Sequence, residues 1–150
     1  MERTLIIIKP EGVQRGIIGN IVTRFEQRGL KFVGLKLIHI TPTLAEQHYG
    51  VHKGKPFYPG LVKHITSGPV VVAVVEGPKA ISVVRTTMGA TNAAEAIPGT
   101  IRGDFALEIG FNIIHGSDGP ETAQQEINLF FKPEELVDYG LATAQWIYEQ

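Results

Sequence analysis

Two runs of apolar residues constrain the fold more than any other feature of this chain. Thr4–Ile8 is apolar and rich in β-branched side chains, and Val70–Val75 is valine at all but one position. Runs of this length and composition are typical of strands, and the first is expected to be buried on both faces of a sheet. The chain must therefore build a sheet around these two strands.

The segments between these runs add helices and two further strands. The predicted elements are, in chain order, strand Thr4–Ile8, helix Ile17–Arg28, strand Lys31–Ile40, a helix from the capping box at Thr43 toward Tyr49, helix Leu61–Ile65, strand Val70–Val75, a helix from Pro78 to about Met88, strand Phe111–Ile114 and a helix from Gly119 through Phe131. This order is β-α-β-β-α-β with inserted helices. It predicts an α+β fold with a ferredoxin-like, antiparallel four-stranded sheet.

Length and charge narrow the possible functions. A chain of 150 residues is expected to form a single domain over residues 1–150. Its 14 basic and 15 acidic residues give no basic excess, which disfavours a general nucleic-acid groove. With no cysteine there is no thiolate nucleophile, and no signal peptide or membrane-length apolar run is present. We expect a cytoplasmic protein without a membrane partner.

The segment Asn112-Ile113-Ile114-His115-Gly116-Ser117-Asp118 is the strongest candidate for chemistry. It places a histidine at the end of an apolar run, followed by small and polar residues that leave the ring accessible. A neutral imidazole can attack phosphorus without first losing a proton. From the residues alone, an ordinary turn that contains a histidine remains the alternative.

Three cations could form a phosphate clamp, because guanidinium and ammonium groups neutralise phosphate oxygens. Lys9 ends the first strand, Arg85 lies on a helix, and Arg102 stands near glycines in the long loop Gly89–Asp104. A loop of this length is usually functional, and we expect Arg102 to be exposed there. A solvated strand end and a surface charge are the alternatives for Lys9 and Arg85.

Several nucleotide-handling designs are absent from the sequence. It contains no Walker-type phosphate loop, no Gly-x-Gly-x-x-Gly motif after a strand and no kinase-type catalytic loop. Metal-ligand spacing is also absent, because the five histidines are scattered. Any nucleotide chemistry must use another arrangement.

Over essentially its whole length the chain resembles the nucleoside diphosphate kinase family. The matching segments are Thr4–Gly16 with Lys9-Pro10-Glu11-Gly12, Ser67-Gly68-Pro69, Pro98–Phe105, Asn112–Asp118 and Lys132-Pro133-Glu134-Glu135-Leu136. The resemblance implies transfer of the γ-phosphate from a nucleoside triphosphate, mainly ATP, to a nucleoside diphosphate. The transfer would follow a ping-pong mechanism through a phosphohistidine at His115, with broad base specificity.

The resemblance also implies roles for individual residues. Ser117 and Glu126 would support His115, while Lys9 and Tyr49 would approach the phosphate that moves. The residues implied to bind the nucleotide are Arg85, Thr91 and Arg102 at the phosphates, Lys9 and Asn112 at the sugar, and Phe57, Leu61 and Ile109 at the base. Mg²⁺ would arrive on the nucleotide phosphates, with no metal site on the protein. From the residues alone, Tyr49 and Phe57 read as core residues and Glu126 as an exposed helix charge.

The C-terminal tail bears on the oligomeric state that we expect. The tail, with Trp146-Ile147-Tyr148, resembles that of hexameric members and is too apolar to be a free solvated end. A homo-hexamer is expected, with a tetramer as the alternative, and no specific nucleic acid as partner. Ala93 and Phe111 depart from the family pattern. The alternative function is a non-catalytic ferredoxin-like module that senses nucleotides or binds nucleic acid.

Overall fold

A computed structural model describes residues 1–149 of the chain. The helices and strands are β1 (Glu2–Ile8), α1 (Pro10–Gln14), α2 (Ile18–Gln27), β2 (Lys31–Ile38), α3 (Pro42–His48), α4 (Tyr58–Ile65), β3 (Val70–Gly77), α5 (Ala80–Met88), α6 (Ile101–Phe105), β4 (Ile114–Gly116) and α7 (Pro120–Phe130). Short 3₁₀ turns occur at Gly50–His52, Ala93–Glu95, Ile109–Phe111, Pro133–Glu135 and Ala144–Trp146.

The four strands form one antiparallel sheet in the order β2-β3-β1-β4. The two apolar runs that dominate the sequence are therefore the two central strands. Helices cover both faces of the sheet. The four antiparallel strands together with these helices confirm the predicted α+β, ferredoxin-like arrangement. In the register of β1 and β4, Ile7 lies directly opposite His115.

The core is divided between the two faces of the sheet, because alternate strand residues point to opposite sides. Ile6 and Ile8 pack with α2, α5 and α6 on one face. Leu5 and Ile7 pack with α3, α4 and α7 on the other. Full burial of one such side chain stabilises the fold by about 1.5–3 kcal/mol, and these four are 0% exposed.

The fourth strand differs from its prediction over Phe111–Ile114. It begins only at Ile114, and Ile109–Phe111 forms a 3₁₀ turn instead. The cause is Ile113, whose φ of 76° is left-handed and incompatible with an extended strand. The apolar pattern correctly predicted burial there but could not show this backbone reversal.

Two helix starts also differ from prediction. Helix α3 is capped by Thr41, whose Oγ1 accepts a hydrogen bond from the Leu44 N–H at 3.1 Å, and not by Thr43. Pro42 suits the first helical position because its φ is already set for a helix. Helix α5 begins after Lys79, which is left-handed at φ 52°, so Pro78 lies outside it.

The long segment before Asp104 is less irregular than expected. It contains the turn Ala93–Glu95 and most of helix α6, which Thr100 caps by accepting a hydrogen bond from the Gly103 N–H at 3.0 Å. Ala93, which departs from the family pattern, begins this turn and is buried. The capping signal lay in Thr100, which the sequence analysis treated as part of a loop.

The tail packs on its own chain in part. Tyr148 donates its hydroxyl hydrogen to the Gly29 carbonyl at 2.6 Å. Trp146, by contrast, is 82% exposed. Within residues 1–149, no helix combines the length and apolar character needed to cross a bilayer.

Candidate active site

His115 lies on β4, and its sheet register determines which face it occupies. Residues directly opposite each other in an antiparallel pair share a face, so His115 shares the face of Ile7, which α3 and α7 cover. Its Nε2 lies 2.9 Å from Oε1 and 3.1 Å from Oε2 of Glu126. Among residues 1–149 no hydrogen-bond partner reaches its Nδ1, and the side chain is 25% exposed.

Glu126 is a carboxylate placed on the buried face of α7. It shares that face with Ala123, Ile127 and Phe130 and is 9% exposed. Ser117, buried just after β4, donates its hydroxyl hydrogen to Oε1 of Glu126 at 2.5 Å. The alternative of an exposed helix charge is therefore wrong for Glu126.

The contacts of Glu126 determine its charge state. Burial favours the neutral carboxyl, but hydrogen bonds from His115 and Ser117 outweigh it and hold the pKa of Glu126 below its usual range. The ionised carboxylate accepts the proton of His115 Nε2, which fixes the tautomer with a lone pair on Nδ1. Nδ1 is the nitrogen available to a ligand.

Helix α3 contributes two aromatic residues to the same site. The ring of His48 meets that of His115 edge-on, with centroids 4.8 Å apart, and the ring of Tyr49 lies 4.6 Å from His48. Burial raises the pKa of the Tyr49 hydroxyl to about 12, so it stays protonated and can donate a hydrogen bond. Tyr49 is one of the predicted site residues, whereas His48 is not, and the only signal for His48 in the sequence is its place beside Tyr49.

Lys9, Asn112 and Thr91 form a second connected group. Lys9 Nζ donates to Oδ1 of Asn112 at 2.8 Å, and Nδ2 of Asn112 donates to the Thr91 carbonyl at 3.0 Å. Burial lowers the pKa of Lys9 to about 8, with Glu11 raising it and Arg102 lowering it further. These three predicted site residues are brought together by side chains that come from distant parts of the chain.

Arg102 is not the exposed loop residue expected from the sequence. It lies on α6, is 4% exposed, and donates to three backbone carbonyls. Nε reaches Asn112 at 3.2 Å, Nη1 reaches Gly89 at 3.0 Å and Nη2 reaches Ile114 at 2.6 Å. The correction has a physical reason: an arginine can be buried when carbonyls satisfy its donors. Arg102 therefore also stabilises the fold.

Arg85 remains more available than Arg102. It lies on the exposed side of α5, and Nη1 donates to the Gly116 carbonyl at 3.1 Å, immediately after His115. Together with Thr91, it lines a cavity of about 430 Å³. Arg85 and Arg102 both donate to carbonyls of β4, and Lys9 donates to Asn112 just before this strand. Their joint action as a phosphate clamp stays a prediction.

Glu11 braces the turn before His115 and was missed as a site residue. Its Oε2 accepts the Ile113 N–H at 3.0 Å, and Oε1 lies 2.8 Å from Nε2 of His64. A β-branched residue at positive φ costs of order 1–3 kcal/mol, and Glu11 helps to hold Ile113 there. Phe111, the other departure from the family pattern, packs edge-on against His64 at 5.3 Å.

The residues implied at the base lie further out. Phe57 is 51% and Ile109 is 59% exposed, so the core reading of Phe57 is wrong. Leu61 lies one helical turn after Phe57 on α4, with its N–H donating to the Phe57 carbonyl at 3.1 Å. Among the described residues, no hydrogen bond or ring contact joins Ile109 to this pair.

The arrangement suits chemistry on an anion. A histidine with a fixed tautomer and a free nitrogen lies beside buried cationic groups and a protonated tyrosine hydroxyl. Positioning and charge neutralisation are what phosphoryl transfer chiefly requires of a protein.

Comparison with known proteins identifies the family. Residues 2–136 match the family model described as nucleoside diphosphate kinase. The chain is 62% identical to the nucleoside diphosphate kinase of Roseiflexus castenholzii, over 99% of this chain and 100% of the relative. It is also 62% identical to that of Thermomicrobium roseum, over 98% and 99%. The halophilic nucleoside diphosphate kinase of Halobacterium salinarum, solved in complex with CDP, superimposes with a TM-score of 0.96 at 53% identity, covering 99% of each chain. The chain therefore belongs to the nucleoside diphosphate kinase family of enzymes.

Proposed function

We propose that this protein transfers the γ-phosphate of a nucleoside triphosphate, mainly ATP, to a nucleoside diphosphate through a phosphohistidine on Nδ1 of His115. The observation that carries the proposal is the hydrogen bond from His115 Nε2 to Glu126 at 2.9 Å. It leaves the Nδ1 lone pair free on a ring that is one quarter exposed. The partial exposure of the side chain supports access of a phosphate to the ring.

In the first half-reaction, Nδ1 attacks the γ-phosphorus. The Nδ1–P bond forms while the bond from phosphorus to the bridging oxygen breaks, and the nucleoside diphosphate leaves with that oxygen. The imidazole gains positive character, which the carboxylate of Glu126 stabilises through Nε2–H. Ser117 holds that carboxylate in place through its hydroxyl.

In the second half-reaction, a terminal oxygen of another nucleoside diphosphate attacks the same phosphorus. The new P–O bond forms, the N–P bond breaks, and His115 returns to its starting state with no net proton change. A ping-pong route suits this reaction because its two halves are chemically identical. The Lys9 ammonium would offset the charge of the moving phosphate, and the Tyr49 hydroxyl would donate a hydrogen bond to it.

The remaining predicted residues would hold the nucleotide. Arg85 uses one of its five donors on a carbonyl, which leaves the rest for phosphate oxygens. Arg102 uses three, so it has fewer to offer. Thr91 lines the same cavity as Arg85. Lys9 and Asn112, already hydrogen-bonded together, would contact the sugar hydroxyls.

Broad base specificity follows from how the base would be held. Phe57 offers an exposed ring for stacking, and Leu61 and the exposed Ile109 would add apolar contacts to the base. Stacking is tolerant of base identity because every base has a π-face. The Halobacterium salinarum relative was solved with CDP, which supports binding of a nucleoside diphosphate in this fold.

Mg²⁺ would enter as part of the substrate. Among residues 1–149, His48, His115 and Glu126 form the one cluster of three potential metal ligands. Two imidazoles and one carboxylate do not match the octahedral oxygen environment that Mg²⁺ requires. The donors therefore do not fit a resident Mg²⁺, and the nucleotide phosphates are left to carry it.

We also propose that residues 1–150 act as one domain and assemble as a homo-hexamer. Exposed apolar side chains support self-association, since Leu35 and Leu37 on the edge strand β2 are 56% and 63% exposed. The number six rests on the family resemblance, and a tetramer is the alternative. Mass measurement in solution by light scattering distinguishes them. The expected cytoplasmic location stays a prediction.

The function is tested with triphosphate labelled at the γ position. Wild-type protein should become labelled in the absence of acceptor, and unlabelled diphosphates with different bases should then remove the label. His115→Asn should abolish labelling, whereas the control His64→Asn should retain it. Nucleotide binding without labelling would favour the non-catalytic module instead.

A further inference from the structure

His48 contributes a buried nitrogen that lacks a partner. Its side chain is 2% exposed, and Nδ1 makes no hydrogen bond among the described residues. That Nδ1 lies 3.5 Å from Oε2 of Glu126, beyond good hydrogen-bonding geometry. Buried polar atoms without partners are uncommon in folded proteins and indicate an unfilled interaction.

The surrounding donors converge on one point. His48, His115 and Glu126 each offer a ligand atom within 4.8 Å of the other two. Zn²⁺ with bonds of about 2.0–2.1 Å needs tetrahedral ligands about 3.4 Å apart. His48 Nδ1 lies 3.5 Å from Oε2 of Glu126 and His115 Nε2 lies 2.9 Å from Oε1, both close to that value. The two imidazole nitrogens lie within 4.8 Å of each other, so Zn²⁺ binding has to draw the two rings together.

The chemistry of the three donors selects the ion. Two imidazole nitrogens and one carboxylate oxygen form a ligand set that Zn²⁺ uses with an open fourth position. Nδ1 of His48 is buried and has no hydrogen-bond partner among the described residues, so it is not committed to another group. The Glu126 carboxylate lies within 3.5 Å of both imidazoles, so it can join them at one ion.

We propose that His48, His115 and Glu126 form a Zn²⁺ site whose occupancy inhibits phosphorylation of His115. The ion replaces the proton on His115 Nε2, which is released to solvent, with no change in oxidation state. The inhibitory part rests on the proposed function.

Inhibition follows from charge. Replacing H⁺ by Zn²⁺ adds one positive charge at Nε2 and turns the Glu126 carboxylate toward the metal. The Nδ1 lone pair becomes a weaker nucleophile, and the positive character of the phosphorylated ring is no longer offset by Glu126. Phosphorylation therefore slows while nucleotide binding is affected less.

Two of the three proposed ligands, His48 and Glu126, line a cavity. This cavity of about 380 Å³ is also lined by Gln47, Asp118, Thr122 and Gln125. Its lining does not include His115, Lys9 or Arg85. The cavity therefore offers an ion a path to His48 and Glu126 that does not pass Lys9 or Arg85.

Metal binding is tested first without nucleotide. Calorimetry with Zn²⁺ should give one site per chain, and Co²⁺ should give the visible absorption of a four-coordinate ion. His48→Gln should weaken binding at least about tenfold. The matched control is His64→Gln, because His64 also faces a carboxylate, Glu11, but without a third ligand. Equal affinity in His48→Gln and wild type, or equal loss in His64→Gln, overturns the site.

A measurement on the unmodified protein guards against misfolded variants. Nitrogen NMR of the imidazoles should show Zn²⁺-dependent shifts for His48 and His115, with His39, His52 and His64 unchanged. Shifts confined to the last three overturn the site. With the site occupied, the rate of His115 labelling should fall at least tenfold and recover with a zinc-selective chelator. An unchanged rate overturns the inhibition while leaving metal binding intact, and failure of labelling without Zn²⁺ refutes only the proposed function.

Discussion

Nε2 of His115 and Oε1 of Glu126, which are 11 residues apart in the chain, lie 2.9 Å apart in the structure. This contact joins the edge strand β4 to helix α7 and fixes which ring nitrogen carries the proton. It also leaves Nδ1 as the atom that faces a ligand. The proposed mechanism depends on this one relationship.

Glu126→Gln should slow phosphorylation of His115 roughly a hundredfold. The amide has nearly the same shape but no charge, and its single oxygen cannot serve both His115 and Ser117. Rapid-mixing measurement of labelled protein formed from γ-labelled triphosphate gives the rate.

Ser117→Ala is the graded comparison. It removes one hydrogen bond to Glu126 but leaves the carboxylate charge. The rate of His115 phosphorylation should therefore fall about tenfold, which corresponds to the roughly 0.5–1.5 kcal/mol of one hydrogen bond. A larger effect from Ser117→Ala than from Glu126→Gln would contradict the assigned order of importance.

Arg102→Ala should lower stability as well as turnover. The substitution leaves three backbone carbonyls without their donor, which we expect to cost about 3 kcal/mol and to lower Tm by about 6–12 °C for a domain of this size. Thermal unfolding followed by circular dichroism measures it. The control Arg85→Ala removes one partly buried hydrogen bond of an otherwise exposed side chain and should change Tm by less than about 2 °C. Equal Tm values for the two variants would refute the structural role of Arg102.

Lys9 should give the activity an alkaline limit. Its pKa is lowered to about 8 chiefly by burial, so the ammonium charge is present below that value and is lost as pH rises through it. Since kcat/KM reports groups of the free enzyme, it should decline above about pH 8. Lys9→Arg keeps its charge to higher pH, so its kcat/KM should decline only at a higher pH than in the wild type. The same alkaline decline in Lys9→Arg and the wild type would assign the titration to another group.

Glu11→Ala should destabilise the turn at Ile113. The Ile113 N–H loses its acceptor and is left buried, which should cost about 1–3 kcal/mol. Urea denaturation measures the change, and Glu11→Gln, which retains an acceptor oxygen, should lose less.

The same residue predicts a pH effect on stability. Burial raises the pKa of Glu11, but hydrogen bonds from His64 and the Ile113 backbone outweigh it and hold it below its usual range. The contribution is therefore complete above the unfolded pKa of about 4.3 and is lost as pH falls through the folded value. Glu11→Gln should flatten this acid limb, and an equally steep limb would argue against the assignment.

The sheet could be predicted from the sequence because the composition of its two central strands is typical of buried strands. Thr4–Ile8 and Val70–Val75 are continuous apolar runs, and both faces of each are buried. Helix ends were predicted less well. Helix α3 is capped by Thr41 with Pro42 at the first helical position, and not by the capping box predicted at Thr43.

The site was predicted through the family resemblance, and three of its features had no local signal. The left-handed backbone of Ile113 depends on Glu11, 102 residues earlier in the chain. Arg102 is buried only because carbonyls of Gly89, Asn112 and Ile114 converge on it. His48, on α3, lies 3.5 Å from Glu126, on α7. Such long-range partners follow from tertiary packing.

The central claim is that Nδ1 of His115 carries the phosphate, and identifying the phosphorylated nitrogen tests it most directly. Protein treated with triphosphate and freed of nucleotide can be examined by phosphorus and nitrogen NMR with labelled histidine. We predict a single phosphoramidate whose coupling is to Nδ1 of His115, with Nε2 still protonated. Phosphate on Nε2, or on Ser117 or Glu126, would contradict the account.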